Sequence, residues 1–338
     1  MARKITGWLA GIAGLLLLLE ILFRLLPVST STETGYYTDP LILTYPPHHH
    51  WTVSTGWDLR NAQQLQSNNL GYATSRDFVR NANAVTLIGD SFVEASMLPA
   101  GDRPGAQLER ALGIRPVFAM GNPGTALLDY AERIRFAHDH FGARDFVILM
   151  ERGDVKQSLC GSGNINGPCL DAKTLAQRVE LIPPPGLAKR IFRHSALAQY
   201  VFGQLKFSPQ KLLPQASAAG THKPPKAPIA QEVPAYVDVV TAAFFERIKP
   251  YATGKLVIVF DSDRRALAAG ELAPDAARSR FIGLARAAGA VVIDTEQLFK
   301  SHFAGSNLSL VVGPYDGHLN ALGVSLFTQA AAKALLQP

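Results

Sequence analysis

Cysteine is scarce in this sequence, with only Cys160 and Cys169 among 338 residues. The chain can therefore form at most one internal disulfide. It has no internal repeat and no nucleic-acid-binding motif, and its basic residues are not interleaved with aromatic ones. The formal charge of +6 thus indicates at most attraction to anionic surfaces, with no nucleic-acid partner. Apolar residues are plentiful, and their share of 47% excludes disorder over the whole length.

The N-terminal apolar run is followed neither by an A-x-A-like cleavage site nor by a lipobox cysteine. Two basic residues precede ITGWLAGIAGLLLLLEILFRLL, which matches the about 20 apolar residues that cross a bilayer. We predict an uncleaved signal anchor over residues 1–29, which contacts the membrane through residues 5–26. Glu20 and Arg24 are predicted to form a local ion pair near the interface. The protein is then single-pass in the inner (cytoplasmic) membrane, with its domain on the periplasmic or extracytoplasmic side.

A rhythm of strands and helices begins at residue 84, with apolar runs such as AVTLIGD, DFVILME and KLVIVFD between helical periods. It is typical of a parallel sheet covered on both faces. We predict an α/β fold over residues 84–338, a three-layer α/β/α sandwich with a mainly parallel five-stranded sheet. Residues 30–83 are predicted to form an extended lead-in, and residues 155–232 an insertion with a helix over LAKRIFRHSALAQYVFGQL. Export favours a Cys160 to Cys169 disulfide in this insertion over two free thiols.

Three polar clusters follow strands of the predicted sheet, where ligands and catalytic groups gather. The triplet GDS ends in Ser91, whose hydroxyl would project above the sheet. The turn AMGNPGTALL places the amide of Gly124 at a helix N-terminus, where negative charge is favoured. In GPYDGHLNALG, Asp316 can hold His318 in one tautomer while the other ring nitrogen takes the serine proton. The chain order of Ser91, Asp316 and His318 predicts a hydrolase triad assembled across the sheet.

In order and spacing these motifs resemble the blocks of the SGNH/GDSL hydrolase superfamily, from a GDS nucleophile motif to an Asp/His motif. The resemblance covers about residues 84–338, interrupted by the insertion. It implies that Ser91 is the nucleophile and that Gly124 supplies an oxyanion donor beside the Ser91 amide. It further implies that His318 is the general base, that Asp316 orients it, and that no metal or organic cofactor takes part.

Two positions depart from the family pattern. In ILMERGDV, Gly153 replaces the asparagine of the usual Gly-x-Asn-Asp block, which removes an oxyanion donor worth on the order of 3 to 4 kcal/mol. Arg152 or Asn122 could reach in instead, and we expect Asp90 and Asp154 to bind substrate. The second departure is Asp-x-His in place of Asp-x-x-His. This spacing is similar to that of envelope polysaccharide O-acetyltransferases related to the alginate acetylation machinery.

Other titratable residues are predicted to have structural roles. In VFDSDRRAL, Asp261 and Asp263 could bind substrate or a cation, but capping of the next helix by Asp263 or Ser262 is favoured. His138 and His140 end a helical run and are expected to face its C-terminal dipole.

The sequence therefore predicts a membrane-anchored serine esterase or O-acyltransferase acting through an acyl-enzyme. The expected substrate is an O-acyl ester, with acetyl favoured, of an envelope or exported polysaccharide, and hydrolysis is favoured over transfer. The alternative is a weak or inactive carbohydrate-binding or assembly protein of the same fold, supported by the lost asparagine. Retention of Ser91, Asp316 and His318 together favours the enzyme. No protein partner can be named from the sequence.

Overall fold

The structure is a computed structural model that describes residues 2–30, 33–163, 167–205, 233–313 and 316–337. The chain divides into two compact units. Unit 1 comprises Met1–Glu33, His50–Leu65 and Pro183–Ala227, and unit 2 comprises Thr34–His49, Gln66–Ile182 and Pro228–Pro338. The end of the predicted insertion, residues 206–232, lies outside the described residues.

The secondary structure of the described residues alternates strands and helices. The strands are β1 (Gly35–Asp39), β2 (Ile42–Thr44), β3 (His50–Thr55), β4 (Arg60–Gln66), β5 (Val85–Gly89), β6 (Val117–Gly121), β7 (Asp145–Met150), β8 (Pro168–Leu170), β9 (Gln177–Val179), β10 (Leu256–Phe260), β11 (Val291–Asp294), β12 (Val311–Gly313) and β13 (Asp316–Leu319). The α-helices are α1 (Ala2–Leu25), α2 (Ser91–Glu94), α3 (Pro104–Leu112), α4 (Leu127–Phe141), α5 (Asp154–Gln157), α6 (Leu187–Phe192), α7 (Ala196–Ala198), α8 (Tyr236–Ile248), α9 (Arg264–Ala269), α10 (Ala276–Ala287), α11 (Thr295–Gly305) and α12 (Ala321–Leu336). A 3-10 turn spans Ala100–Asp102, and a π-helical segment spans Gln199–Gln204.

A five-stranded sheet in the order β11-β10-β7-β5-β6 forms the centre of unit 2, and each neighbouring pair is parallel. Numbered along the chain and read from the β6 edge, this is the flavodoxin-like order 2-1-3-4-5. The inner strands are runs of Val, Ile, Leu and Phe, which suit a parallel sheet buried on both faces. The predicted three-layer sandwich with a parallel five-stranded sheet is confirmed.

Helices cover both faces of this sheet. On one face, α4, α8 and α10 enclose a core that includes Phe146 and Phe244. On the other, α3, α11 and α12 enclose a second core that includes Val147 and Phe327. Phe146 and Val147 are neighbours in β7, and successive strand residues point to opposite faces. The carboxyl ends of the parallel strands share one edge, and Ser91 follows β5 at that edge.

Arg133, a buried residue of α4, ties the ends of β5 and β6 together. Its Nη1 donates to the carbonyl oxygens of Gly89 at 2.7 Å and Met120 at 3.0 Å. Buried carbonyl oxygens need hydrogen-bond donors, and a charged donor gives a stronger bond than a neutral one. Arg133 therefore holds the end of the strand from which Ser91 emerges.

We expect Arg133→Met to lower the free energy of unfolding by about 2 to 4 kcal/mol, because the apolar side chain fills the space but leaves buried carbonyl oxygens without this donor. Urea unfolding of the detergent-solubilised chain measures the change. The exposed Arg286→Met on α10 is the matched control. A loss below about 0.5 kcal/mol for Arg133→Met, as is usual for surface substitutions, would contradict the assigned role.

Unit 1 contains α1, the β3–β4 hairpin and the short helices between residues 187 and 204. The stretch Lys4–Leu25 is 22 residues long and contains an 18-residue window with a mean hydropathy of 2.1, so it is long and apolar enough to cross a membrane. Glu20 and Arg24 form the predicted ion pair, with 2.7 Å between Oε1 and Nε.

The single helix predicted over LAKRIFRHSALAQYVFGQL is interrupted in the structure. α6 ends at Phe192, and α7 starts a new helical stretch at Ala196. Ser195 causes the break because it adopts an extended backbone and its hydroxyl accepts a hydrogen bond from the amide of Ala198.

Candidate active site

Ser91 occupies the sharp turn between β5 and α2. The turn begins at Gly89, where a Cβ atom would lie 2.7 Å from the carbonyl oxygen of Leu149. Asp90 caps the helix, its Oδ1 accepting the Phe92 amide at 2.9 Å. As the first residue of α2, Ser91 has an amide that finds no partner inside the helix. Its hydroxyl and its amide therefore both lie at the edge of the sheet where the parallel strands have their carboxyl ends.

The structure brings Ser91, His318 and Asp316 together. The Nε2 atom of His318 lies 2.8 Å from Ser91 Oγ, and its Nδ1 lies 2.6 Å from Asp316 Oδ1. The same Oδ1 accepts the backbone amide of His318 at 2.9 Å, so the aspartate fixes both the ring and the chain. Burial acts to raise the pKa of Asp316, but the hydrogen bonds from His318 prevail and hold it below its ordinary value. An ionised carboxylate in this position can orient an imidazole that takes a proton from serine.

Arg264 holds the strand β13, which carries His318. Its Nη2 donates to the carbonyl oxygen of Gly317 at 2.7 Å, and its Nη1 pairs with the buried Asp261. Its guanidinium carbon lies 5.3 Å from the centroid of the Phe92 ring, which in turn lies 4.7 Å from the ring of His318. Asp261 thus anchors an arginine. Sequence reasoning missed Arg264, although its place directly after the strand-end aspartates was an available signal.

The second block of the site packs directly on α2. At Gly121 a Cβ atom would lie 2.4 Å from a backbone nitrogen of that helix, so glycine is required for β6 to approach it. Gly124 lies in the following turn with φ of +76°, the left-handed region that favours glycine. Asn122 is completely buried, and its side-chain amide donates to the carbonyl oxygen of Leu43 at 2.6 Å. The side-chain amide of Asn122 is therefore bonded to β2.

The third block places polar groups at the cleft without an asparagine. The amide of Gly153 donates to the carboxylate of Glu151. Arg152 pairs with Asp263, with 2.8 Å between Nη1 and Oδ2, and its half-exposed side chain lines the cleft. Asp263 also caps α9 by accepting the Ala266 amide at 3.0 Å, as predicted. Arg152 is thus held at the cleft by an ion pair.

The aspartates expected to bind substrate are buried beneath the site. Asp154 is completely buried and accepts hydrogen bonds from the Tyr130 hydroxyl and the Glu151 amide, both at 2.9 Å. In the structure its carboxylate closes the turn after β7. Asp90 is buried as the cap of α2, so it supports Ser91 from below. Burial raises the pKa of Asp90 to about 6 and that of Asp154 well above its ordinary value.

Glu94 is a further buried carboxyl group, in the last position of α2. One of its oxygens accepts the hydroxyl of Tyr45 at 2.8 Å. Burial raises the pKa of Glu94 to about 7, and the Tyr45 hydrogen bond opposes that rise. Nothing in the sequence distinguished this glutamate from a solvated one, since its burial depends on chain segments far apart in sequence.

We expect Glu94→Gln to flatten the pH dependence of stability. The folded pKa of about 7 exceeds the ordinary 4.5, so the stabilising contribution is full below pH 4.5 and is lost as pH rises through about 7. The free energy of unfolding that Glu94 contributes at low pH and loses at high pH is at most about 3 kcal/mol. Urea unfolding below pH 4.5 and above pH 7 measures it, with glutamine still accepting from Tyr45. Tyr45→Phe should steepen the dependence, and equal pH dependence in all three proteins would contradict the assignment.

An open cleft of about 810 Å³ lies beside the triad, a volume in the usual range for small-molecule sites. It has charged groups of both signs on its walls. Its lining residues are Phe92, Glu151, Arg152, Ser262, Asp263, Arg264, Arg265, Ala266, Ala269, Glu271, Val311, Gly317 and His318. The cleft gives a ligand access to the imidazole of His318.

Cys160 and Cys169 form a disulfide, with their Cα atoms 5.2 Å apart. Together with Glu180 they make up the described group of side chains close enough to hold a metal ion. Because both sulfur atoms are used in the disulfide, that group does not offer thiolate ligands. His138 and His140, also considered above, lie in the last turn of α4 as predicted.

No protein-family model matches the chain, and no curated protein matches it. Several solved structures are similar. One is LAE5, an α/β hydrolase from the metagenome of Lake Arreo, Spain, with 13% identity and a TM-score of 0.40 over 77% of this chain and 98% of that one. A lipolytic G-D-S-L family protein from Veillonella parvula has 11% identity and a TM-score of 0.39 over 75% and 97%. The acetylxylan esterase Axe2 from Geobacillus stearothermophilus has 11% identity and a TM-score of 0.36 over 77% and 97%.

These likenesses include proteins of the kind that the sequence motifs resemble, a G-D-S-L family member among them. At their TM-scores they carry no argument about chemistry.

Proposed function

We propose that the chain is a membrane-anchored serine hydrolase of the SGNH/GDSL type that cleaves O-acyl esters. The observation that carries the proposal is the continuous hydrogen-bond chain from Ser91 Oγ through His318 to Asp316, at the carboxyl edge of a parallel sheet. A serine and a histidine without a shared role would have no reason to lie within hydrogen-bond distance of each other. Here residues 227 positions apart meet within hydrogen-bond distance, and the aspartate orients the ring.

The chemistry follows from the order of the groups. As Ser91 Oγ attacks the ester carbonyl carbon, its proton passes to His318 Nε2, and Asp316 stabilises the imidazolium that forms. The imidazolium then gives the proton to the departing alcohol oxygen, which leaves an acyl group on Ser91. Water, or a sugar hydroxyl in a transfer reaction, attacks that acyl group by the reverse proton path and restores the serine.

Backbone amides stabilise the tetrahedral intermediate in this proposal. The amide of Ser91 and that of Gly124, each in a turn at the strand ends, are the assigned donors. The usual asparagine is absent at Gly153, and the amide of Gly153 is engaged by Glu151. Arg152 is a third donor only when a ligand draws it from its ion pair with Asp263. We therefore expect a slower enzyme than one with the complete set of donors.

The proposed substrate is an O-acyl group, acetyl in the first instance, on an envelope or exported polysaccharide. The Asp-x-His spacing supports this substrate because it is similar to that of polysaccharide O-acetyltransferases. The wide, charged cleft also suits a polar chain better than a lipid tail. The apolar stretch Lys4–Leu25 anchors the protein in the inner membrane, with the catalytic unit on the extracytoplasmic side.

Acetate release tests the proposal and separates hydrolysis from transfer. The purified full chain in detergent is given p-nitrophenyl acetate, with and without an oligosaccharide acceptor, and both free acetate and acetylated sugar are quantified. We expect p-nitrophenol release in both cases, with free acetate as the main product if water is the acceptor. Acetylated sugar as the main product would assign transfer. No release above that of the Ser91→Ala protein would contradict the proposal and favour a binding protein of the same fold.

A further inference from the structure

Unit 1 carries five large, exposed apolar side chains on residues 187–205, here called the interfacial segment. Large apolar side chains are usually buried in a folded protein. Where several are exposed close together, the surface usually binds a protein or a membrane. The exposed fractions are 72% for Leu187, 62% for Ile191, 55% for Phe192, 50% for Phe202 and 42% for Leu205.

The interfacial segment is bonded to the apolar helix α1. The carboxylate of Glu20 accepts the Ser195 hydroxyl at 2.8 Å and the amides of Ala196 and Leu197 at 3.0 and 3.1 Å. It thereby caps α7 from another helix. Arg24 donates to the carbonyl oxygen of His194 at 2.9 Å.

An aromatic contact extends this attachment towards the β3–β4 hairpin. The ring of Phe23 stacks on that of Tyr200 with centroids 4.3 Å apart. The Tyr200 hydroxyl donates at 2.8 Å to the carbonyl oxygen of Trp57, whose side chain is 69% exposed. Tyrosine and tryptophan are enriched where protein crosses from lipid to water.

The attachment fixes the depth of the segment, provided that α1 spans the bilayer as the proposed function requires. Glu20 lies five residues before Leu25, the end of the apolar helix, so it lies about 7.5 Å along the axis from that end. Interfacial helices bury their apolar faces about 5 to 10 Å into the boundary between headgroups and acyl chains. A segment capped by Glu20 therefore lies at the depth of that boundary.

The charges on the segment fit the same location. Lys189 and Arg190 are exposed on α6, beside the apolar residues, and can meet anionic headgroups. Arg193 pairs with Glu33 at 2.8 Å, so it belongs to the fold of unit 1. From the shared depth, the exposed apolar side chains and the basic flank, we infer that the interfacial segment lies in the bilayer surface and is a second membrane contact besides α1.

Fluorescence quenching by lipid tests this inference. Phe192→Trp and Phe202→Trp are made in a background with Trp8→Phe, Trp51→Phe and Trp57→Phe, so that each variant keeps a single tryptophan. The full chains are reconstituted in phosphatidylcholine and phosphatidylglycerol vesicles. Ile114→Trp, at a position 91% exposed in unit 2, is the matched control. We expect brominated acyl chains to lower the emission of both segment tryptophans by about twofold or more, as for side chains at acyl depth, and to leave the control unchanged.

Three other results would contradict the inference, and they show whether the surface contact of the interfacial segment or the membrane anchor α1 has failed. If the chains float with the vesicles and both segment tryptophans match the unquenched control, the inference falls while the anchor stands. Emission that is blue-shifted but unquenched means that protein covers the segment, which also overturns the inference. If the chains do not float with the vesicles at all, the membrane anchor itself fails and the inference with it. Esterase activity enters none of these outcomes.

Discussion

Replacing Ser91 by alanine is expected to lower kcat/KM for p-nitrophenyl acetate by about 10³ to 10⁶-fold, because no acyl-enzyme can then form. The loss should appear mainly in kcat, since alanine keeps the shape of the turn and of the cleft. What remains should approach the rate that backbone oxyanion donors alone provide. Ser91 lies at the start of a helix that is capped through Asp90, so the substitution should leave the fold intact.

Ser301→Ala, an exposed serine on α11, serves as the control for this experiment. It should keep the native rate, and circular dichroism should be unchanged in both variants. A Ser91→Ala protein that retains more than about one tenth of native kcat/KM would assign the activity to another nucleophile.

Asp316→Asn is expected to lower kcat by about 10⁴-fold, the scale of effect seen when the orienting carboxylate of a serine triad is lost. In the native protein Asp316 Oδ1 accepts both Nδ1 of His318 and its backbone amide. Asparagine can present its NH₂ group to Nδ1, which favours the tautomer with the proton on Nε2, the nitrogen that must accept from Ser91. It also removes the negative charge that stabilises the imidazolium.

The contrast between kcat and KM distinguishes this role from a structural one. Asp316→Asn should leave KM within about threefold of native, because the cleft is lined by other residues. Asp263→Asn, which alters the cap of α9 and the partner of Arg152 at the same cleft, is the comparison. If the two variants lower kcat equally, Asp316 has no special role in orienting His318.

The sequence was sufficient to predict the sheet and the meeting of Ser91, His318 and Asp316, because both depend on short patterns. Each inner strand is an apolar run that ends in a polar turn, so the position of Ser91 after β5 could be derived from residues 85–91 alone. Asp316 and His318 lie in one short motif, and the topology of parallel strands brings that motif to the same edge. Local chemistry likewise predicted that Asp263 caps α9.

The supporting residues could not be derived in the same way. Arg133 is one of several arginines on helices, and only the packed fold shows that it reaches the ends of β5 and β6. Arg264 contacts Gly317 of strand β13, which lies more than 50 residues later in the chain. Asp154 resembled a site residue because it follows a strand, but its carboxylate turns inward to Tyr130.

The interruption at Ser195 shows a further limit of pattern reading. The helical periodicity of residues 187–205 predicts one helix. The Ser195 hydroxyl and the Glu20 carboxylate instead accept hydrogen bonds from the amides that would continue it. Glu20 is 175 residues earlier, so its part in this break is a tertiary effect. The i, i+4 pair with Arg24 was predictable, whereas the second set of Glu20 partners was not.

The central claim, that Ser91 is an activated nucleophile, is tested most directly by covalent labelling. The full chain in detergent is treated with a fluorophosphonate, digested, and the modified peptide is located by mass spectrometry. We expect a single adduct on Ser91 and none after Ser91→Ala, with labelling strongly reduced in His318→Ala because the proton acceptor is lost. Absence of an adduct on the native chain, or equal labelling of the native and Ser91→Ala proteins, would contradict the account.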